Sequence, residues 1–124
     1  MTKKIGIVIV SHVPEVAAGI PRLLEQVAAD VSITFAGGTD DNDIGTSAAK
    51  ISTAFTENKA DEIAAFYDLG SSKMNLELAV EMTDKKVHIY DAALIEGAYT
   101  AATLLQADVA LKDVEEQLAP LKIK

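Results

Sequence analysis

Ile5-Gly6-Ile7-Val8-Ile9-Val10 is an unbroken apolar run that stops at Ser11-His12. A strand without polar alternation cannot leave one face in water, so the run calls for cover on both faces, as in an interior strand of a parallel sheet. The rest of the chain supplies that cover. Val16, Ile20, Leu23, Leu24 and Val27 share one side of a helical pattern, in which Pro21 predicts a kink or a late start. Val31 to Ala36 reads as a second strand, closed by Gly37-Gly38 and the polar stretch Thr39 to Asp43. Thr46 or Ser47 then caps a helix carrying Ile51, Ala54 and Phe55, which ends at Asn58-Lys59. Glu62 to Tyr67 is a third strand, followed by the turn Asp68-Leu69-Gly70-Ser71-Ser72 and a helix from about Ser72 to Met82. Val87 to Tyr90 is a fourth strand, and helices follow from Leu94 to Ala107 and from Lys112 to Leu118.

Strand and helix alternating in this way predict an α/β fold: one doubly wound domain over residues 1–124, with a mainly parallel four- or five-stranded sheet and helices on both faces. Three Phe, three Tyr and no Trp leave the core to Ile, Val, Leu and Ala. The absence of cysteine excludes disulfides, thiolate nucleophiles and thiolate metal sites. A net charge of −8 with scattered lysines argues against nucleic acid and anionic membranes as partners. The apolar stretch before His12 is too short for a signal-peptide core or a membrane span, so a cytoplasmic location is expected.

In such a sheet, chemistry gathers beyond the carboxyl ends of the strands. The loops there are Ser11-His12, Gly37 to Gly45, Asp68 to Ser72 and Asp91 to Gly97. A lone loop histidine is ordinarily a surface or capping residue. His12, however, directly follows a buried strand and precedes Pro14, which suits a first helical turn, so its imidazole is expected in the crevice as a nucleophile towards phosphorus. Asp68, at the matching end of the third strand, either makes a turn or orients the imidazole by hydrogen bonding to one nitrogen. Gly70, Ser71 and Ser72 offer amides and hydroxyls at a helix start, an arrangement that caps helices and also holds phosphate oxygens. Gly38 and Thr39, in the second polar loop, join them as phosphate-binding candidates.

No nucleotide fingerprint or P-loop is present, so direct ATP binding is unsupported. No metal site is expected, since Asp40, Asp41 and Asp43 lack EF-hand spacing and read as a solvated loop. His88 is expected to pack within its strand, and Glu96 to complement a helix dipole. Apart from Lys73, no cation lies in these loops, so a phosphoryl group on His12 is expected to lean on neutral dipoles.

Ile7-Val8-Ile9-Val10-Ser11-His12, Ala36-Gly37-Gly38, Asp43-Ile44-Gly45-Thr46-Ser47, Asp68-Leu69-Gly70-Ser71 and Glu96-Gly97, taken in order along nearly the whole chain, resemble the DhaM family. These are phosphotransferase subunits of phosphoenolpyruvate-dependent dihydroxyacetone kinase. The resemblance implies the fold of mannose-class enzyme IIA domains and a homodimer. It also implies a relay in which phospho-HPr phosphorylates His12, which rephosphorylates ADP to ATP on the DhaL subunit, while DhaK binds dihydroxyacetone. Asp68 would orient His12, and the chain would bind no cofactor, carrying only the covalent phosphoryl group. Val13-Pro14-Glu15 and Ser72-Lys73 depart from the family's common residues. Three alternatives stand beside this: a mannose-class sugar transporter IIA component, a regulatory binding module with His12 unmodified, and a receiver-like domain phosphorylated on Asp68.

Overall fold

In the computed structural model of this chain, which describes residues 2–124, the apolar run forms β1 (Ile5–Ser11), and every residue after Ile5 is buried. The chain continues through α1 (Pro14–Glu25), β2 (Ile33–Gly37), α2 (Ala48–Glu57), β3 (Glu62–Tyr67) and α3 (Gly70–Glu81). It ends with β4 (Lys86–Tyr90), α4 (Leu94–Gln106), α5 (Leu111–Leu118) and a 3-10 turn (Ala119–Leu121). The four strands are all parallel, in the order β2-β1-β3-β4.

Strand alternation sorts the core into two layers. Ile7 and Ile9 of β1, with Ala64 and Phe66 of β3, face α1, α4 and α5. Val8 and Val10, with Ile63, Ala65 and Tyr67, face α2 and α3. Small alanines on α4 (Ala98, Ala101 and Ala102, all fully buried) bring that helix close to the sheet, which is how a chain poor in aromatics reaches dense packing.

The helix of the first crossover begins at Pro14 and runs through Pro21 to Glu25, so the late start expected from Pro21 does not occur. A missing donor costs about 3 kcal/mol inside a helix; burial of Ala17, Ile20, Pro21 and Leu24 offsets it. Ser47 caps α2, its hydroxyl accepting from the Lys50 amide at 3.1 Å. β2 is an edge strand whose Phe35 stays 47% exposed, and β4 closes the opposite edge.

Gly6 is set by a neighbour rather than by a turn. A Cβ there would lie 2.2 Å from Oδ1 of Asn58 and 2.9 Å from the Ser32 carbonyl. Asn58 is buried, donating to the carbonyls of Ile7 (3.1 Å) and Ser32 (3.0 Å) and accepting from the Ala60 amide (3.1 Å). It thus ties β1, the approach to β2 and the approach to β3 together. Gly6→Ala is expected to displace Asn58 and cost about 2–4 kcal/mol. Urea unfolding at neutral pH measures this, and a loss below about 0.5 kcal/mol would contradict the account.

Candidate functional site

β1 and β3 lie side by side with Val10 opposite Tyr67, so the register carries Ser11 and His12 past the sheet beside Asp68. The Asp68 amide donates to the Val10 carbonyl at 3.2 Å, extending the ladder one step beyond the strand. The helix leaving β1 packs on one face and the helix leaving β3 on the other. The two connections diverge, and the crevice between them is the switch point where open α/β sheets place their sites.

Asp68 is the hub. Its Oδ2 accepts from the His12 amide (2.9 Å) and the Ser11 hydroxyl (2.9 Å). Its Oδ1 accepts from His12 Nδ1 (2.9 Å) and the Leu69 amide (2.7 Å). Burial alone would raise the Asp68 pKa, but the bonds from the His12 amide and ring, the Leu69 amide and the Ser11 hydroxyl outweigh it and hold the carboxyl below its ordinary value. An ionised carboxylate only accepts hydrogen bonds, so the His12 proton is assigned to Nδ1 and the lone pair to Nε2.

Nε2 lies 2.7 Å from the Ser71 hydroxyl. The side chain of His12 is only 16% exposed, whereas Gly70 and Ser71 are exposed at the start of α3. Opening amides of a helix have no partner within it, and their dipoles favour anions. Nε2 therefore meets the Ser71 hydroxyl at the opening turn of α3, whose first amides, Gly70 and Ser71, have no partner within the helix.

Ser72 lies elsewhere. It is fully buried, its hydroxyl donating to the Leu69 carbonyl at 2.6 Å with Asp68 Oδ1 at 3.3 Å, so it shapes the turn from beneath. Gly38 and Thr39 are also spent on structure. The Gly38 amide donates to the Ser11 carbonyl (3.2 Å) and the Thr39 amide to the Asp43 carbonyl (2.9 Å), while the Thr39 hydroxyl accepts from the Asp43 amide (3.1 Å). Gly38 has φ 79°, and a Cβ there would sit 2.6 Å from Pro14; the glycine pair lets β2 end against the start of α1. Of the phosphate-binding candidates, Ser71 meets the imidazole, with Gly70 preceding it at the exposed start of α3.

Ser11 and Lys124 are site residues that sequence reasoning missed. Ser11 is buried, bridging Asp68 and the Val13 amide (3.2 Å); its place between an apolar strand and a histidine was the available signal. Lys124, far along the chain, donates from Nζ to the carbonyls of Tyr67 (2.6 Å) and Asp68 (2.8 Å). Lys73 is the cation within these loops, and Lys124 adds a second one from outside them. Lys73 itself pairs with Asp91 at 3.0 Å, and Asp91 also accepts from the Tyr67 hydroxyl.

Asp40 is bonded by the Ser47 hydroxyl at 2.5 Å, and Asp41 and Asp43 are exposed. Among the described residues no group of three or more His, Cys, Asp or Glu gathers to hold a metal ion, and no helix is long and apolar enough to cross a membrane. His88 bonds Glu62 at 2.7 Å and stacks on Tyr90, as a packed strand histidine. Glu96 is exposed in the first turn of α4.

The family model described as PTS system fructose IIA component, EIIA-man, matches residues 6–115. The chain is 48% identical over 119 residues to the "PTS-dependent dihydroxyacetone kinase, phosphotransferase subunit DhaM" of Lactococcus lactis subsp. lactis, covering 96% of this chain and 97% of that protein. It is 42% identical, over the full length of both, to the "PEP-dependent dihydroxyacetone kinase 1, phosphoryl donor subunit DhaM" of Listeria innocua. A crystal structure of a protein of unknown function superposes with a TM-score of 0.83 at 29% identity, covering 98% of this chain and 97% of that one. At 11% identity, a sigma-54 interaction domain protein from Enterococcus faecalis shares the fold, with a TM-score of 0.70 and coverage of 95% and 90%. This chain belongs to the EIIA-man family and, within it, to the DhaM phosphotransferase subunits.

Proposed function

We propose that this chain is the phosphoryl carrier of a phosphoenolpyruvate-dependent dihydroxyacetone kinase, accepting the group from phospho-HPr on Nε2 of His12 and passing it to ADP held by DhaL. DhaK would be the third member of the relay, binding the dihydroxyacetone. A homodimer and a cytoplasmic setting belong to this reading and rest on the family resemblance. The observation that carries the proposal is the imidazole clamped between Asp68 on Nδ1 and the Ser71 hydroxyl on Nε2.

In the acceptance step the donor's P–N bond breaks as the Nε2 lone pair forms a new one. The Ser71 hydroxyl, exposed and free to rotate, leaves the lone pair and turns to a phosphoryl oxygen. Positive charge develops on the imidazole and is met by the Asp68 carboxylate through the Nδ1 proton, which stays on the ring. The amides of Gly70 and Ser71 receive the phosphoryl oxygens. Onward transfer runs the same chemistry in reverse, with a β-phosphate oxygen of ADP displacing the imidazole. No nucleotide need rest on this chain. The receiver-like alternative is disfavoured because both oxygens of Asp68 are engaged in hydrogen bonds.

After incubation with phosphoenolpyruvate, enzyme I and HPr, intact mass is expected to show one acid-labile phosphoryl group on the protein and none on His12→Ala. No added mass on the unaltered protein would reject the carrier and favour a binding module. Asp68→Asn is expected to slow acceptance roughly a hundred- to ten-thousand-fold, because an amide nitrogen facing Nδ1 reverses the tautomer and places the proton on Nε2; stopped acceptance assays measure this. Because the folded-state pKa of Asp68 is depressed, its stabilising contribution is full above the unfolded value near ~3.9 and is lost as pH falls through the lower folded value. Unfolding curves collected from pH 7 downward should therefore fall less steeply below about pH 4 in Asp68→Asn than in the unaltered protein.

A further inference from the structure

We infer that Lys124 is a positioning residue for the relay: its ammonium fixes the turn that carries Asp68 and supplies the positive charge that steadies both the Asp68 carboxylate and a phosphoryl group on His12. The geometry of this link is independent of the carrier reading, while its consequence for phosphoryl transfer rests on that reading.

Lys124 reaches the site because the last segment folds back over the carboxyl edge of the sheet. The Ala93 amide donates to the Leu121 carbonyl (2.9 Å) and the Ile123 amide to the Asp91 carbonyl (3.2 Å), and Ala92 and Lys122 form an antiparallel bridge. These contacts pin the segment to the loop after β4, and Lys124 then crosses to the end of β3. There Nζ bonds the carbonyls of Tyr67 (2.6 Å) and Asp68 (2.8 Å) and lies 4.4 Å from the centroid of the Tyr67 ring. The main-chain carbonyls of two consecutive residues, with an aromatic face, hold the ammonium at a defined place.

The acceptors are neutral, so the cationic charge is not cancelled by a contact carboxylate and acts on its surroundings. Burial pulls the Lys124 pKa below its usual value, opposed by Asp68 and Asp91, the acids that act on it electrostatically. The charged and titratable groups around Asp68 are His12 just after β1, Lys124 from the last segment, and, one layer out, the linked trio Tyr67, Asp91 and Lys73, on which Glu77 and Lys122 also act. Lys73 is committed to Asp91. Once His12 is phosphorylated, one imidazole carries two anions, the carboxylate on Nδ1 and the phosphoryl group on Nε2, and Lys124 is the cation set against them. Without it, the carboxylate becomes more basic, the Nδ1 proton is held more firmly on the phosphorylated ring, and a phosphoimidazole that keeps this proton loses its phosphoryl group faster.

Lys124→Met removes the charge and Lys124→Arg retains it, each in the full chain. Two readouts are taken: the midpoint of the Asp68 carboxyl titration by carbon-13 NMR on unphosphorylated protein, and the lifetime of the isolated phosphoprotein by intact mass. The methionine variant is expected to raise the midpoint by roughly 0.5 pH unit and shorten the lifetime roughly threefold or more. The arginine variant should track the unaltered protein in both, and the midpoint shift of the methionine variant should shrink at high salt, as a charge effect does and the loss of a fold-holding contact alone does not. An unmoved midpoint in the methionine variant, or an arginine variant that behaves like it, overturns the inference. A shifted midpoint with an unchanged lifetime overturns its claim on the relay. If the unaltered protein takes up no phosphoryl group while the midpoint still moves, the carrier reading falls and the electrostatic link stands.

Discussion

The parallel pairing of β1 with β3 is the contact on which the site depends. These strands are central in the sheet, buried on both faces and in register from Ile5 opposite Glu62 to Val10 opposite Tyr67. A shift by one residue would turn Ile7 and Ile9 into the layer that holds Val8 and Val10, so both core layers lock the register together. The same lock determines that Ser11 and His12 emerge beside Asp68. Chemistry at the carboxyl edge is therefore positioned by hydrophobic packing below it, and the loops need only turn outward.

At that edge the balance is electrostatic. Asp68 is held in a partly buried place that by itself favours the neutral acid, and four short hydrogen bonds reverse the preference. Two come from backbone amides, which do not reorganise, so the carboxylate presents a fixed acceptor to the imidazole. Below it, Ser72 closes the turn by bonding the Leu69 carbonyl. No buried side-chain nitrogen or oxygen among the described residues lacks a partner, and the group that meets His12 Nε2 is the exposed Ser71 hydroxyl.

Much of this was legible in the residues. The strand Glu62 to Tyr67 was read with its observed ends, because it is an apolar run between turn residues. His12 and Asp68 were legible because strand ends in an α/β sheet converge on one edge. Gly70 and Ser71 were legible as a helix start, although the helix begins at Gly70 and not near Ser72, since the backbone of Leu69 serves as its cap without a side-chain bond. Gly38 and Thr39 were read as phosphate-binding candidates from loop chemistry alone; in the structure the Gly38 amide bonds the Ser11 carbonyl at the end of β1 and the Thr39 amide bonds the Asp43 carbonyl within the loop. Ser11 was passed over because its position between an apolar strand and a histidine does not say what its hydroxyl bonds.

The sequence by itself determined the order of strands and helices, the absence of thiols and the placement of a histidine and an acid at two strand ends. Those follow from local patterning and from the small set of ways parallel strands can be covered. Only the tertiary structure decided which imidazole nitrogen is left with its lone pair, that Ser72 and Lys73 turn away from it, and that Lys124 comes back to the site. These depend on contacts such as Lys124 with Asp68, 56 positions apart, and a through-space distance of a few ångströms leaves no periodicity in the chain for a reader to find.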